Sequence, residues 1–97
     1  MSSIHPNRKA IDHLAAIREL DLLFIDNFDE AILGIVELTR GESAVSVVAY
    51  SLQKILDKLV KGGCTLDEAY EYYEFNIEGS YMGPHTPIYI DDVYSHA

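Results

Sequence analysis

Apolar and polar positions alternate along the 97-residue chain with two different periods, and the switches between them mark out the elements. Pro6 suits the first turn of a helix, where its missing N–H costs nothing. Ala10, Ile11, Leu14, Ala15 and Ile17 then recur at helical spacing, with Arg8, Lys9, Asp12, Arg18 and Glu19 between them. This predicts a helix over about residues 6–20. The run Leu22–Ile25 is too short to declare its period, and residues 22–38 alone fit either a helix or a strand. The next segment decides between them. Ala44–Tyr50 is rich in β-branched residues and reads as a strand. A strand needs a partner, and Thr39–Ser43 makes a five-residue hairpin loop. Strands near 30–38 and 44–50, paired antiparallel, follow.

The second half is plainer. Leu52, Ile55, Leu56, Leu59 and Val60 sit at i, i+3, i+4, i+7 and i+8, one face of an amphipathic helix. Ser51 is its N-cap and Gly62-Gly63 its end. Thr65-Leu66-Asp67-Glu68 then has the form of a capping box. Leu66, Ala69, Tyr70, Tyr73 and Ile77 form the apolar stripe of the helix it opens. Asp67, Glu71, Glu74 and Glu78 form a second, acidic stripe. Gly79 stops the helix, Gly83-Pro84 turns the chain, and Thr86–Ile90 reads as a short edge strand with Pro87 near its start. The expected fold is α+β in the order α-β-β-α-α-β, with a small antiparallel sheet packed with helices. It is a single domain over residues 1–97, with frayed ends at about 1–5 and 92–97.

Charge narrows the function. Sixteen acids against seven bases give a formal net charge of −9. Such a chain repels phosphates, which argues against direct binding to nucleic acid or to an anionic membrane. Apolar runs such as Leu22–Ile25 fall far short of a membrane span. Met1–Pro6 has neither the basic region nor the apolar core of a signal peptide, and Cys64 is the only cysteine. These features point to a cytoplasmic setting. The charge is also uneven. Residues 1–61 hold nine acids and seven bases, whereas residues 62–97 hold seven acids and no base. Six of the seven tyrosines also follow residue 62.

Candidate chemistry is sparse. The acidic stripe has no histidine within its helix, so a solvated face or a docking surface fits it better than a metal site. The Lys54, Lys58, Lys61 face of the preceding helix can neutralise part of it. Cys64 precedes a helix N-terminus but has no histidine near it in sequence, so it reads as a small packing residue. His5, His13, His85 and His96 lack metal-ligand spacing. No phosphate-binding loop, dinucleotide fingerprint or nucleophile elbow occurs. No catalytic residue, metal or cofactor is implied. Tyr70 and Tyr73 fall on the core stripe. Tyr72, Phe75 and Tyr81 lie off it, and exposed aromatics beside acids are what partner surfaces are made of.

Two segments carry a resemblance. The first is Glu71–Gly83, followed by Thr86-Pro87-Ile88-Tyr89-Ile90. The second is Phe28-Asp29-Glu30-Ala31-Ile32-Leu33-Gly34. Together, over roughly residues 24–90, they resemble a family of small proteins encoded by phages and prophages, whose members end in Phe-Asn-x-x-Gly, aromatic-x-Gly, Thr-Pro-Ile. The resemblance implies a phage origin and no particular activity. The family's usual Tyr-Asp after the second strand is Tyr50-Ser51 here. Physically, the motif is a device for turning helix into strand. Phe75 anchors the helix end, Asn76 bonds exposed backbone, and Gly79 and Gly83 supply positive φ. The same turn can also hold a ligand through Asn76, His85 and Thr86, with Tyr81 beside them.

The leading functional expectation is a phage-encoded accessory or host-modulating protein that binds an unidentified host protein. Its contact residues would be Glu71, Tyr72, Glu74, Phe75, Glu78 and Tyr81, and DNA mimicry is one form of such binding. The alternatives are a small-ligand or nucleotide sponge built on Asn76, His85 and Thr86, and, with less support, a small enzyme. A short sheet with free edges also invites a homodimer.

Overall fold

A computed structural model describes residues 5–93 of the chain. Tyr94, His96 and the rest of 94–97 lie outside the described residues, as do residues 1–4, so most of both expected frayed ends lies there. The element order is α1 (Pro6–Arg18), β1 (Ile32–Arg40), β2 (Ser43–Ser51), α2 (Leu52–Lys61), α3 (Leu66–Tyr73) and β3 (Ile88–Ile90). A 3₁₀ turn (Asp29–Ala31) precedes β1, and a π-turn (Glu74–Glu78) follows α3. Among the described residues the fold is α+β, with three helices and one three-stranded sheet.

The β1–β2 hairpin is tighter than its sequence suggests. Pairing continues to Arg40↔Ser43, which leaves only Gly41-Glu42 as the turn. Gly41 has φ of 65° while Glu42 has no positive φ, the pattern of a hairpin turn with glycine in first place. Leu33 is an extra residue in β1, bulged between the pairs Ile32↔Tyr50 and Gly34↔Ala49.

The sheet is mixed rather than wholly antiparallel. Its order is β1-β2-β3, and β3 runs parallel to β2, with Tyr50 opposite Tyr89. Connectivity explains the direction. Between β2 and β3 the chain passes through α2 and α3, a crossover long enough to return it in the same sense.

The core lies against one face of this sheet. It takes Ile11 from α1, Leu52, Ile55 and Leu56 from α2, Ala69 and Tyr73 from α3, and Ile32, Val48 and Tyr50 from the strands. Val47 and Ala49 alternate with Val48 and Tyr50 along β2 and are buried outside that cluster. Residues 20–28, open between helix and strand in the sequence, form neither. Leu22, Phe24 and Ile25 instead pack partly onto the core. Contacts from α1 and β2 pin this segment and the residues just after it. The Arg8 guanidinium lies 3.6 Å from the Phe24 ring centroid. The Asn7 side-chain amide donates to the Asp29 and Glu30 carbonyls at 3.3 and 3.4 Å. The Ile25 N–H donates to the Tyr50 hydroxyl at 3.0 Å.

Side chains at the described parts of both ends make capping contacts. His5 caps α1, accepting from the Asn7 N–H through Nδ1 at 3.1 Å. Asp92 caps α2 together with Ser51. One of its carboxylate oxygens accepts from the Ser51 hydroxyl at 2.6 Å, and the other from the Gln53 N–H at 2.8 Å. Ser51 Oγ in turn accepts from the Lys54 N–H at 3.1 Å. Two of the amides left unbonded at the start of α2 are thereby satisfied. Val93 packs against the core. Among the described residues, no helix is long and apolar enough to cross a membrane.

Candidate functional site

The surface that the sequence singles out is built on α3 and its extension. The capping box forms. Thr65 Oγ1 accepts from the Glu68 N–H at 3.1 Å, and Glu68 Oε1 accepts from the Thr65 N–H at 2.8 Å. The helix does not continue regularly to Gly79. It widens into the π-turn over Glu74–Glu78, whose bonds run i to i+5. Residues five apart lie on different sides of an α-helix, but a π-turn brings them together. Tyr73 and Glu78 are such a pair, and the Tyr73 hydroxyl donates to Glu78 Oε2 at 2.9 Å. Glu78 therefore leaves the acidic stripe and serves the core tyrosine. Asp67, Glu71 and Glu74 keep to the outer surface.

Four tyrosine rings lie in series under this helix. Tyr50 stacks on Tyr89 with centroids 5.9 Å apart, Tyr89 meets the edge of Tyr73 at 5.5 Å, and Tyr73 meets Tyr70 at 6.0 Å. Burial holds the Tyr50 hydroxyl in its neutral form and pushes its pKa up to about 12. Tyr89 is likewise pushed up to about 12, by burial first and then by the nearby charge of Glu78. Tyr73 is raised further, by burial and by the hydrogen bond it donates to Glu78. The Tyr89 hydroxyl oxygen is buried and has no hydrogen-bond partner among the described residues. Tyr70, expected in the core, is 43% exposed at the open end of the series, and Leu66 is exposed as well.

The expected contact aromatics face outward. Phe75 is 76% exposed, Tyr81 78% and Tyr72 46%. Phe75 therefore does not anchor the helix end. Ile77, which is buried, takes that role. Gly79 does not supply a positive φ either, since its φ is −74°. Its need is close approach, because a Cβ there would sit 3.2 Å from the Glu74 carbonyl oxygen. Gly83, with φ of 99°, does supply one.

Two shallow concavities meet on this surface. One, of about 320 Å³, is lined by Glu68, Glu71, Tyr72, Phe75 and Asn76. The other, of about 310 Å³, lies between residues 24–28 and the π-turn, with Phe24, Phe28, Tyr72, Ile77 and Met82 among its walls. Tyr72 and Asn76 line both and form the ridge between them. The structure thus gathers Glu71, Tyr72, Phe75 and Asn76. Glu74, Glu78 and Tyr81 line neither concavity. Glu68, Phe24, Phe28 and Met82 are additions that the helical pattern alone does not mark. For Phe24 and Phe28 the sequence signal is Asp26-Asn27, turn residues set between the two phenylalanines, with Asn27 at φ of 72°.

The three polar residues considered for a ligand do not converge. The Asn76 amide donates to the Tyr72 carbonyl at 3.2 Å. His85 Nδ1 lies 3.3 Å from the Ser46 carbonyl oxygen on β2. Thr86 is buried, and its hydroxyl closes its own loop by accepting from the Met82 N–H at 2.8 Å and donating to the Gly83 carbonyl at 2.6 Å. Each serves the turn from helix to strand, and Arg40 adds a bond to the Pro84 carbonyl at 2.6 Å.

The lysines of α2 do not offset the acids of α3. Lys58 instead pairs with Glu30 at 3.2 Å and reaches the Asn27 carbonyl. Among the described residues, Asp67, Glu68, Glu71, Glu74 and Glu78 form no ion pair, and Glu71 and Glu74 form no side-chain hydrogen bond. Also among the described residues, no three His, Cys, Asp or Glu side chains cluster as a metal site requires. No protein-family model matches the chain, and neither a curated protein nor a solved structure matches it.

Proposed function

We propose that this chain is a small binding protein that acts by protein–protein contact through the acidic, aromatic face of α3 and its π-turn. One observation carries the reading: Tyr72 and Phe75 are exposed and line a concavity with Glu68 and Glu71, carboxylates that have no cationic partner among the described residues. Large aromatics left in water lose the benefit of burial, and they recur as anchors at interfaces. Unpaired acids around them favour a basic partner and speed its encounter. The engagement of Asn76, His85 and Thr86 in internal bonds favours this reading over a small-ligand sponge.

The resemblance of the C-terminal motif supplies the biological setting. The protein is a phage-encoded accessory factor that modulates a host or defence protein in the host cytoplasm. DNA mimicry is the form in which the carboxylates occupy a DNA-binding site. The test is affinity capture from host cells with the intact chain and with a Glu71→Lys, Glu74→Lys, Tyr72→Ala variant that keeps its circular dichroism. The expected result is a captured protein that the variant loses. Capture of the same proteins by both forms would overturn the proposal.

A further inference from the structure

The two concavities differ in chemistry, and the difference describes an occupant. The first offers two carboxylates, Glu68 and Glu71, and two exposed aromatics, Tyr72 and Phe75. Glu68 commits one oxygen to the Thr65 amide, and Glu71 commits neither. Carboxylates beside aromatic faces suit a guanidinium, which pairs with the acids through its edge and stacks through its plane. The second is lined by apolar Phe24, Phe28 and Met82, which suit an apolar side chain, and also by polar Asp26, Asn27 and Ser80, of which the acid favours a basic segment. At about 320 and 310 Å³, both stand at the small end of ligand pockets. The shared ridge of Tyr72 and Asn76 makes them neighbours.

We infer that this pair of concavities is a two-pronged reader for a basic segment of a partner protein, taking an arginine over Glu68, Glu71 and Phe75 and an adjacent apolar side chain against Phe24, Ile77 and Met82. The inference rests on the proposed protein-binding role of this face and names the chemistry it selects. Charge decides the class of occupant. Residues 62–97 contain seven acids and no base, so a phosphate-bearing strand or an anionic lipid surface is repelled, and a cationic peptide is drawn in.

The experiment is selection of a random displayed peptide library on the intact protein. Affinities of the enriched peptides are then measured by fluorescence anisotropy against wild type and four single variants. Enriched peptides are expected to carry arginine next to a large apolar residue. Glu71→Lys and Tyr72→Ala should each weaken them about tenfold or more. Glu37→Lys on β1 and Ile17→Ala on α1, exposed positions that line neither concavity, should change affinity by less than about threefold. Enrichment of uncharged or acidic peptides, or no enrichment, overturns the inference. Weakening by Glu37→Lys and Ile17→Ala as large as that by Glu71→Lys overturns the two-pronged reader, and enrichment of non-basic peptides that Glu71→Lys and Tyr72→Ala still weaken overturns the reader while leaving the broader face in place. Indifference to all four variants removes both. Salt-sensitive self-association of the free protein that Glu71→Lys abolishes would replace the peptide with a second copy of the chain and also overturn the inference.

Discussion

Tyr89→Phe removes one oxygen atom, and the structure predicts that the protein gains stability from it. The Tyr89 ring has its place in the core series, 5.9 Å from Tyr50 and 5.5 Å from Tyr73. Phenylalanine keeps both contacts. The hydroxyl is a different matter, because it is buried and has no partner among the described residues. A buried polar group left unpaired costs about 1–3 kcal/mol, so the substitution should stabilise the fold by about 1 kcal/mol or more. For a domain of this size that corresponds to a rise in Tm of about 4–8 °C. The matched control is Tyr50→Phe. There the lost hydroxyl is the acceptor for the Ile25 N–H at 3.0 Å, and its removal orphans that amide, at a cost of about 1–3 kcal/mol. The same chemical change thus carries opposite signs at two stacked rings. Urea unfolding at neutral pH, followed by circular dichroism, measures both. A loss of 1 kcal/mol or more in Tyr89→Phe, or equal effects of one sign in the two variants, would refute the reasoning.

Other consequences follow from the same geometry. Tyr50 and Tyr89 rise from the ordinary 10.0 to about 12 in the fold. The unfolded chain therefore loses these protons first, and stability that is complete below pH 10 falls as pH climbs to 12, by roughly 3 kcal/mol for Tyr50. In an alkaline titration, the last tyrosinate absorbance to appear should rise together with helix loss, and complete ionisation of all seven tyrosines with the helices intact would contradict it. Asp92→Ala should cost about 2 kcal/mol in chemical denaturation by stripping the start of α2 of two bonds to a carboxylate. An effect within a few tenths would mean that the carboxylate caps nothing. Glu19 ends α1 in the left-handed region at φ of 54°, so Glu19→Gly should raise stability by about 0.5–1 kcal/mol, read as a higher Tm; a lower Tm would argue against strain there.

The helices could be read from the sequence because their signals are local. Ser51 and Thr65 cap where the pattern says, and Leu52, Ile55 and Leu56 are buried as their spacing requires. The hairpin could be found but not its tightness, because a turn with glycine in first place absorbs Thr39, Arg40 and Ser43 into the strands. The direction of β3 was hidden, since periodicity says which face a strand buries and nothing about which way it runs. The π-turn was hidden as well. Its extra residue per turn leaves an apolar spacing that an α-helix also satisfies, yet it brings Glu78 to Tyr73. Asp92 looked like tail because its partners, Ser51 and Gln53, lie about forty residues upstream. At the candidate site, the side formed by Glu71, Tyr72 and Phe75 was visible on one helix. The opposite wall, Phe24 and Phe28, arrives through the Arg8 and Asn7 contacts, which no single segment displays.

The central claim is that the exposed aromatics of α3 and the loop after it are where a partner sits. Hydroxyl-radical footprinting tests it without knowledge of the partner's site. The protein is oxidised alone and in complex with the protein it captures, and modification is read residue by residue. The account predicts protection at Tyr72 and Phe75, with Leu14 and Ile17 on the open side of α1 left as reactive as before. Protection confined to Leu14 and Ile17, with Tyr72 and Phe75 unchanged, would contradict it and place the interface on the other helix.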